Sequence, residues 1–181
     1  MQISQKIRKL TYIFKNLRNI ADWKLIKTVY ISLCQSLIAY CISVWGGSSK
    51  TLIIEVERAQ RMLLKVALSK PRLFPTVNLY KEANVLSVRK LYIQNMILKK
   101  HSLINTSQID IVDSRRSYEV CETQRVQTIF AQKFYNFKIG RLYNKINRLL
   151  TISNLIKFSC KKKVTDWLLT LDYEETEKII M

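Results

Sequence analysis

Hydrophobic positions recur in steps of three and four along most of this chain, the spacing of helices that bury one side. Ile3, Ile7, Leu10, Phe14 and Leu17 open the series and predict an amphipathic first helix. Asn19 to Asp22 break it, and Asp22 is placed to cap a second helix. Along that helix Trp23, Ile26, Tyr30, Leu33, Leu37, Tyr40 and Val44 keep the spacing, while Ile31, Cys34, Ile38, Cys41 and Ile42 extend the apolar surface around it. A helix apolar on nearly every side is normally buried on several, so this segment is predicted as the central helix of a bundle, closed by Gly46 and Gly47. Ser48 or Ser49 can cap a third helix running to about Leu68, before Pro71 and Pro75 force a loop. Its inner side reads Leu52, Val56, Ala59, Leu63 and Val66. A short helix over Thr76 to Ala83 and one from Ser87 to about Ser102 come next; in the latter, Ile93 and Ile97 fall away from the Val88, Leu91, Asn95 and Leu98 side.

Beyond Asn105 the pattern turns polar up to Gln124, where a linker is expected and a short hairpin fits. The aromatic run IFAQKFYNF, 129–137, is a candidate strand. Helices are predicted near Ile139 to Leu150 and from Ser153 to about Leu171, the second with Leu155, Phe158 and Leu168 inward. The tail DYEETEKIIM is expected to fray. With three Gly and two Pro among 181 residues, breakers are too few for many short strands. The expected fold is mainly α: a helical bundle over 1–104, a linker over 105–128, a small C-terminal helical module over 129–171 and an acidic tail over 172–181.

Charge sharpens this picture. Between Lys27 and Lys50 lie twenty-two uncharged residues, enough in length for a membrane span, which needs about 20. Thr28, Ser32, Gln35, Ser36 and Ser43 argue against one, because an amide at mid-span would find few partners in hydrocarbon. No membrane partner is expected. Basic residues interrupt the N-terminus before a signal-peptide core can form, which implies an intracellular protein, nuclear or cytoplasmic, that is not secreted. Lys and Arg outnumber Asp and Glu by 31 to 13, a net charge of +18, of which residues 1–101 carry 18 basic against 4 acidic groups. That asymmetry points to a polyanionic partner for the first half.

The cations are also patterned. Arg8, Tyr12 and Lys15 lie opposite the apolar stripe of the first helix, an aromatic ring between two cations, an arrangement able to hold phosphates on either side of a stacked base. On the third helix Arg58, Arg61 and Lys65 fall within about 60° of one another at 100° per residue. The bland alternative is a pair of solvated faces that keep the protein soluble.

Other chemistry is scarce. There is no Gly-rich phosphate loop, HExxH, GxSxG or adjacent aspartate pair that could hold two metals, and no catalytic residue, metal site or cofactor is expected. Glu57 is spaced to pair with Arg61 at i,i+4, and His101, the sole histidine, falls where a helix C-terminus would favour an imidazolium. Cys34, Cys41, Cys121 and Cys160 show no CxxC spacing and are expected to be buried, reduced thiols.

Several stretches in order resemble one known family. KTVYISLCQSLIAYCISVWGGSS, VERAQRMLLKVAL, PTVNLYKEANVLSVRKLY, FYNFKIGRLYNKI and LIKFSCKKKVTDWLL together resemble the C-terminal part of reverse transcriptases from non-LTR retrotransposons, especially the jockey-like LINE elements. The matching region of that family is the thumb and the post-thumb segment. The resemblance implies a thumb-like bundle that grips an RNA or RNA/DNA template-primer through basic helix faces. It also implies that the family's catalytic aspartates, in a Tyr/Phe-Ala-Asp-Asp palm motif, would lie upstream of this segment. The chain is therefore expected to be a truncated fragment that does not polymerise by itself, or else a helical interaction protein or transposon remnant.

Overall fold

The computed structural model describes residues 2–106, 120–121, 127–128 and 135–180. The fold is mainly α, with no strand among the described residues, and divides into two compact units, 1–92 and 93–181. The expected linker over 105–128 and its hairpin lie almost wholly outside the described residues. So does most of the candidate strand over 129–137, whose last residues belong to a helix.

The first unit holds α1 (Gln2–Leu17), α2 (Trp23–Tyr30), α3 (Ser36–Ala39), α4 (Ile42–Trp45), α5 (Lys50–Ala67), α6 (Thr76–Ala83) and the start of α7 (Val88–Thr106). Asp22 caps α2 as the sequence predicts, accepting from the Leu25 amide at 3.2 Å. α1 packs along α5 and also meets α3, burying Ile7 and Phe14 against a core that includes Val56, Leu63 and Leu64. Arg18 donates to the Val66 carbonyl at 3.3 Å, so α1 and α5 end at the same side of the unit and an arginine adds a donor to a carbonyl in the last turn of α5 that already accepts from the Ser69 amide.

The uncharged segment departs from its expected form. It is helical from Trp23 to Ala39, but Ile31–Gln35 is a π turn, with the Ser36 amide reaching back to the Ile31 carbonyl. Ile26, Tyr30, Ile38 and Ile42, with Cys34 among them, form the buried stripe, spaced strictly by four. Such a spacing drifts by about 40° per step on a 3.6-residue helix, and the wider π turn winds it back. The predicted stripe through Leu33, Tyr40 and Val44 is instead exposed, and the helix stops at an extended Tyr40 and a left-handed Cys41. Thr28, Ser32 and Ser36 need no partners elsewhere, because each hydroxyl donates to the carbonyl four residues back.

α7, not the uncharged segment, is the helix buried on nearly every side. Val88, Arg89, Leu91, Tyr92, Ile93, Met96, Ile97 and His101 are all buried, which is why its apolar residues refuse to sort onto one face. The unit boundary falls within it, earlier than the expected end of the bundle at residue 104, because residues beyond Tyr92 bond to the second unit's own helices.

That second unit holds the rest of α7, α8 (Tyr135–Leu150), α9 (Lys157–Thr170) and α10 (Tyr173–Ile180). Ile139, Tyr143 and Ile146 of α8 and Cys160, Val164 and Leu168 of α9 are its inner positions. Phe158, expected inside, is exposed, because α9 begins at Lys157 and the Cys160, Val164, Leu168 stripe takes the inner side. The tail forms α10 rather than fraying. The Asp172 amide donates to Glu175 at 2.8 Å in half of a capping box, Thr176 is buried, and Lys145 donates to the Lys178 carbonyl at 2.8 Å.

Helix ends here rely on residues other than glycine: Cys41, Ser69, Asn84 and Thr151 all occupy the left-handed region. Each such position, outside Asn, costs about 1–2 kcal/mol relative to a relaxed backbone. Gly46 is needed for a different reason. A Cβ there would lie 2.5 Å from both the Ile42 carbonyl oxygen and the Tyr92 ring, while its backbone is ordinary right-handed helix. Gly46→Ala is therefore expected to destabilise the protein by about 1–3 kcal/mol. In urea titrations the midpoint should fall with an unchanged slope, and a parental midpoint would show that the Tyr92 ring moves aside without cost.

Candidate nucleic-acid interface

α1 presents its cations as the sequence predicts. Ile7 and Phe14 face the core, which turns Arg8, Tyr12 and Lys15 to solvent, and Tyr12 is 72% exposed. Lys6 and Lys9 are exposed on the same helix. The outer side of α1 is thus a cationic surface with an aromatic ring in it.

α5 differs from its expected form. Arg58 is exposed, but Arg61 is mostly covered and pairs with Glu57 at 3.8 Å, the predicted i,i+4 pair. Lys65 donates to the Arg72 carbonyl at 2.6 Å and so holds the loop after α5. Two of the three cations expected on one outward face therefore already serve the fold. Lys15 and Lys65 stand in the last turns of α1 and α5, the two ends that Arg18 joins, and there they also complement the helix dipoles. The predicted inner residue Leu52 is exposed, and its neighbour Ile53 is buried in its place.

Polar groups inside the units are committed to structure. In the first, Gln60 Nε2 donates to Tyr30 Oη at 2.7 Å and to the Leu86 carbonyl at 2.9 Å, while its Oε1 accepts from Tyr80 Oη at 2.9 Å. Burial pushes the Cys34 thiol up to about 12, an effect its hydrogen bond with Tyr30 partly offsets. Burial also raises the Tyr30 and Tyr80 phenols, with the nearby Cys34 charge adding to the first and Glu57 to the second. Arg89, buried in α7, donates to the Gly46 and Ser48 carbonyls at 3.0 and 3.4 Å and so caps the end of α4.

In the second unit His101 is fully buried a turn before the end of α7, not at an exposed helix terminus. Its Nε2 lies 2.8 Å from the Leu155 carbonyl, which can only accept, so Nε2 carries the hydrogen. In the neutral ring Nδ1 then accepts from Tyr143 Oη at 2.9 Å. Asn144 clamps the backbone of Cys121 from both sides, accepting from its amide at 2.9 Å and donating to its carbonyl at 2.8 Å. Adjacent residues of α8 thus pin two different segments. Cys34, Cys121 and Cys160 are buried free thiols as expected, whereas Cys41 is exposed.

Among the described residues no cluster of His, Cys, Asp or Glu is placed to hold a metal ion, and no helix is long and apolar enough to cross a membrane. No family model, curated protein or solved structure matches the chain. The cationic surfaces are accordingly judged on their own chemistry. One was missed in the sequence: Lys157, Lys161, Lys162 and Lys163 are all exposed on α9 beside Phe158. Its signal, four lysines within seven residues, is hidden as long as Phe158 is placed in the core.

The buried hydroxyl and thiol groups set a pH window. Cys34 would ionise near its ordinary value of 9 once unfolded but only near 12 when folded, so stability is full below pH 9 and is lost as pH rises toward 12. Tyr30, Tyr80 and Tyr143 shift in the same direction. Circular dichroism against pH should show cooperative loss of helix in that range, with tyrosinate absorbance from these residues appearing only together with it. Ionisation of all nine tyrosines in a protein that stays fully helical would contradict the network.

Proposed function

We propose that this chain is a nucleic-acid-binding, thumb-like region of a retrotransposon RNA-directed DNA polymerase, contacting RNA or an RNA/DNA template-primer through basic helix faces, and that these 181 residues, which hold no adjacent aspartate pair, do not polymerise by themselves. The observation that carries the reading is the exposed Arg8, Tyr12 and Lys15 face of α1, set opposite the buried Ile7 and Phe14. Arg58 adds to it from α5, with Arg61 and Lys65 secondary because each already has a partner in the fold. The excess of cations in the first half supports the same class of partner. On this reading the protein works in the nucleus or cytoplasm, where its nucleic acid is found.

A second reading, a non-catalytic helical interaction protein or transposon remnant, is favoured by one observation. Ile31, Leu33, Tyr40 and Val44 stand exposed along the uncharged segment, an apolar series that a protein partner could cover.

Binding to labelled single-stranded RNA and to an RNA/DNA duplex across a salt titration tests the first reading. Each phosphate neutralised should contribute about 0.7–0.9 log units of affinity per tenfold change in salt. Replacing Arg8 and Lys15 by Gln should weaken binding to both ligands and flatten the slope while leaving α1 helical, because Gln propagates a helix nearly as well as Lys. Tyr12→Ala should cost about 1–3 kcal/mol on single strands and little on duplex. Template-dependent nucleotide incorporation by the purified chain with magnesium is expected to stay at the buffer level. Parental affinity of the Arg8, Lys15 double variant at every salt concentration would reduce the α1 face to a solvated one.

A further inference from the structure

The outer face of α9 repeats the device seen on α1, in the other unit and with different residues. Phe158 is 79% exposed, an unusual position for a phenyl ring that has no polar handle. At about 100° per residue Lys161 and Lys162 fall about 60° and 40° to either side of it, one turn further along. Lys157 and Lys163 are exposed beyond them. Among the described residues Asp166, the one carboxylate on the helix, forms no ion pair with Lys161, Lys162 or Lys163. These three cations are thus not neutralised by the helix that carries them.

The helix is also held in place from behind. Cys160, Val164 and Leu168 are fully buried, and Thr165 accepts from Gln94 at 2.6 Å. His101 fixes the turn before α9 through the Leu155 carbonyl. Phe158 and its lysines are therefore presented on an anchored surface, which lowers the ordering cost of binding.

We infer that the Phe158, Lys161 and Lys162 face of α9, flanked by Lys163, is a second nucleic-acid site, selective for single strands, in which Phe158 stacks on a base and the lysines hold the flanking phosphates. A phenyl ring between cations matches an unpaired base between its phosphates, since every base offers a flat face and every phosphate a charge. A duplex hides those faces within its stack. An anionic membrane is the poorer partner, because the apolar stripe of α9 is spent on the core and leaves outside only Phe158 and, just before the helix, Ile156. The site shares its class of partner with the reading of α1 but none of its residues.

Four variants of the full chain decide this: Phe158→Ala, Phe158→Trp, the triple change of Lys161, Lys162 and Lys163 to Gln, and an α1 variant combining Arg8→Gln, Tyr12→Ala and Lys15→Gln. Each is titrated with a labelled single-stranded oligonucleotide, its duplex, and phosphatidylserine vesicles, after thermal melting confirms a parental fold. Phe158→Ala should weaken single-strand binding roughly 5- to 150-fold and leave duplex binding unchanged, and Phe158→Trp should restore it. The triple change should flatten the single-strand salt slope by about 2 log units. Parental single-strand affinity in both Phe158→Ala and the triple lysine variant overturns the site, as does a loss confined to the vesicles. If only the α1 variant loses affinity, α9 is excluded and the α1 reading stands. If only the α9 variants do, the reverse holds, and a parent that binds neither nucleic acid overturns both.

Discussion

The carboxamide of Gln60 sits fully buried in α5 and must satisfy its hydrogens and its oxygen entirely within the protein. It does so with three partners from three places: Tyr30 at the end of α2, Tyr80 in α6 and the Leu86 carbonyl just before α7. An unpaired buried amide or hydroxyl costs about 1–3 kcal/mol, so sliding any of these elements by one residue would forfeit bonds at several atoms together. Apolar packing alone tolerates such slips more easily, because it lacks direction. The network therefore fixes the register of the first unit, and the hydrophobic stripes fill the space that it defines. Cys34 joins the same cluster through Tyr30, which places the π turn beside this polar network.

How much of this could be read from the residues depended on how many sides of a helix are buried. α1 and α6 bury one face, and their limits or stripes were legible from spacing alone. α7 is buried on most sides from Val88 to Ile97, so periodicity carries little information about its orientation there. The uncharged segment failed in the opposite way. Its composition resembled a helix buried all round, yet Ile31, Leu33, Tyr40 and Val44 are exposed and the stripe follows a step of four that the π turn accommodates. The tail was misread although its signal was present, since Asp172 and Glu175 have the spacing of a capping box.

For the candidate interface the same logic separates α1 from α5. An outward direction can be inferred from the opposite apolar stripe, and Arg8, Tyr12 and Lys15 were placed correctly on that basis. Whether a cation is available is a different matter. Arg61 has Glu57 within the same helix, a pair visible in the sequence, but Lys65 is engaged by the Arg72 carbonyl across a loop whose course no local pattern reveals. Phe158 was lost to the assumption that a phenylalanine in a helix points inward, and the register of α9, set by Cys160, Val164 and Leu168, turns it out.

The division between inside and outside bears on what kind of function the protein can have. The groups with most chemical potential, His101, Glu57, Gln60 and the Cys34 thiol, are buried and engaged in the fold. A general acid or base must come within hydrogen-bond reach of the proton it moves, and His101 has both ring nitrogens committed to protein partners. Outside, the charged side chains on α1 and α9 are almost all cations, interrupted by single exposed aromatic rings. Such a surface attracts polyanions over a distance set by salt. The residues that carry most chemistry hold the structure, and the sites we propose lie on the exposed cationic faces of α1 and α9.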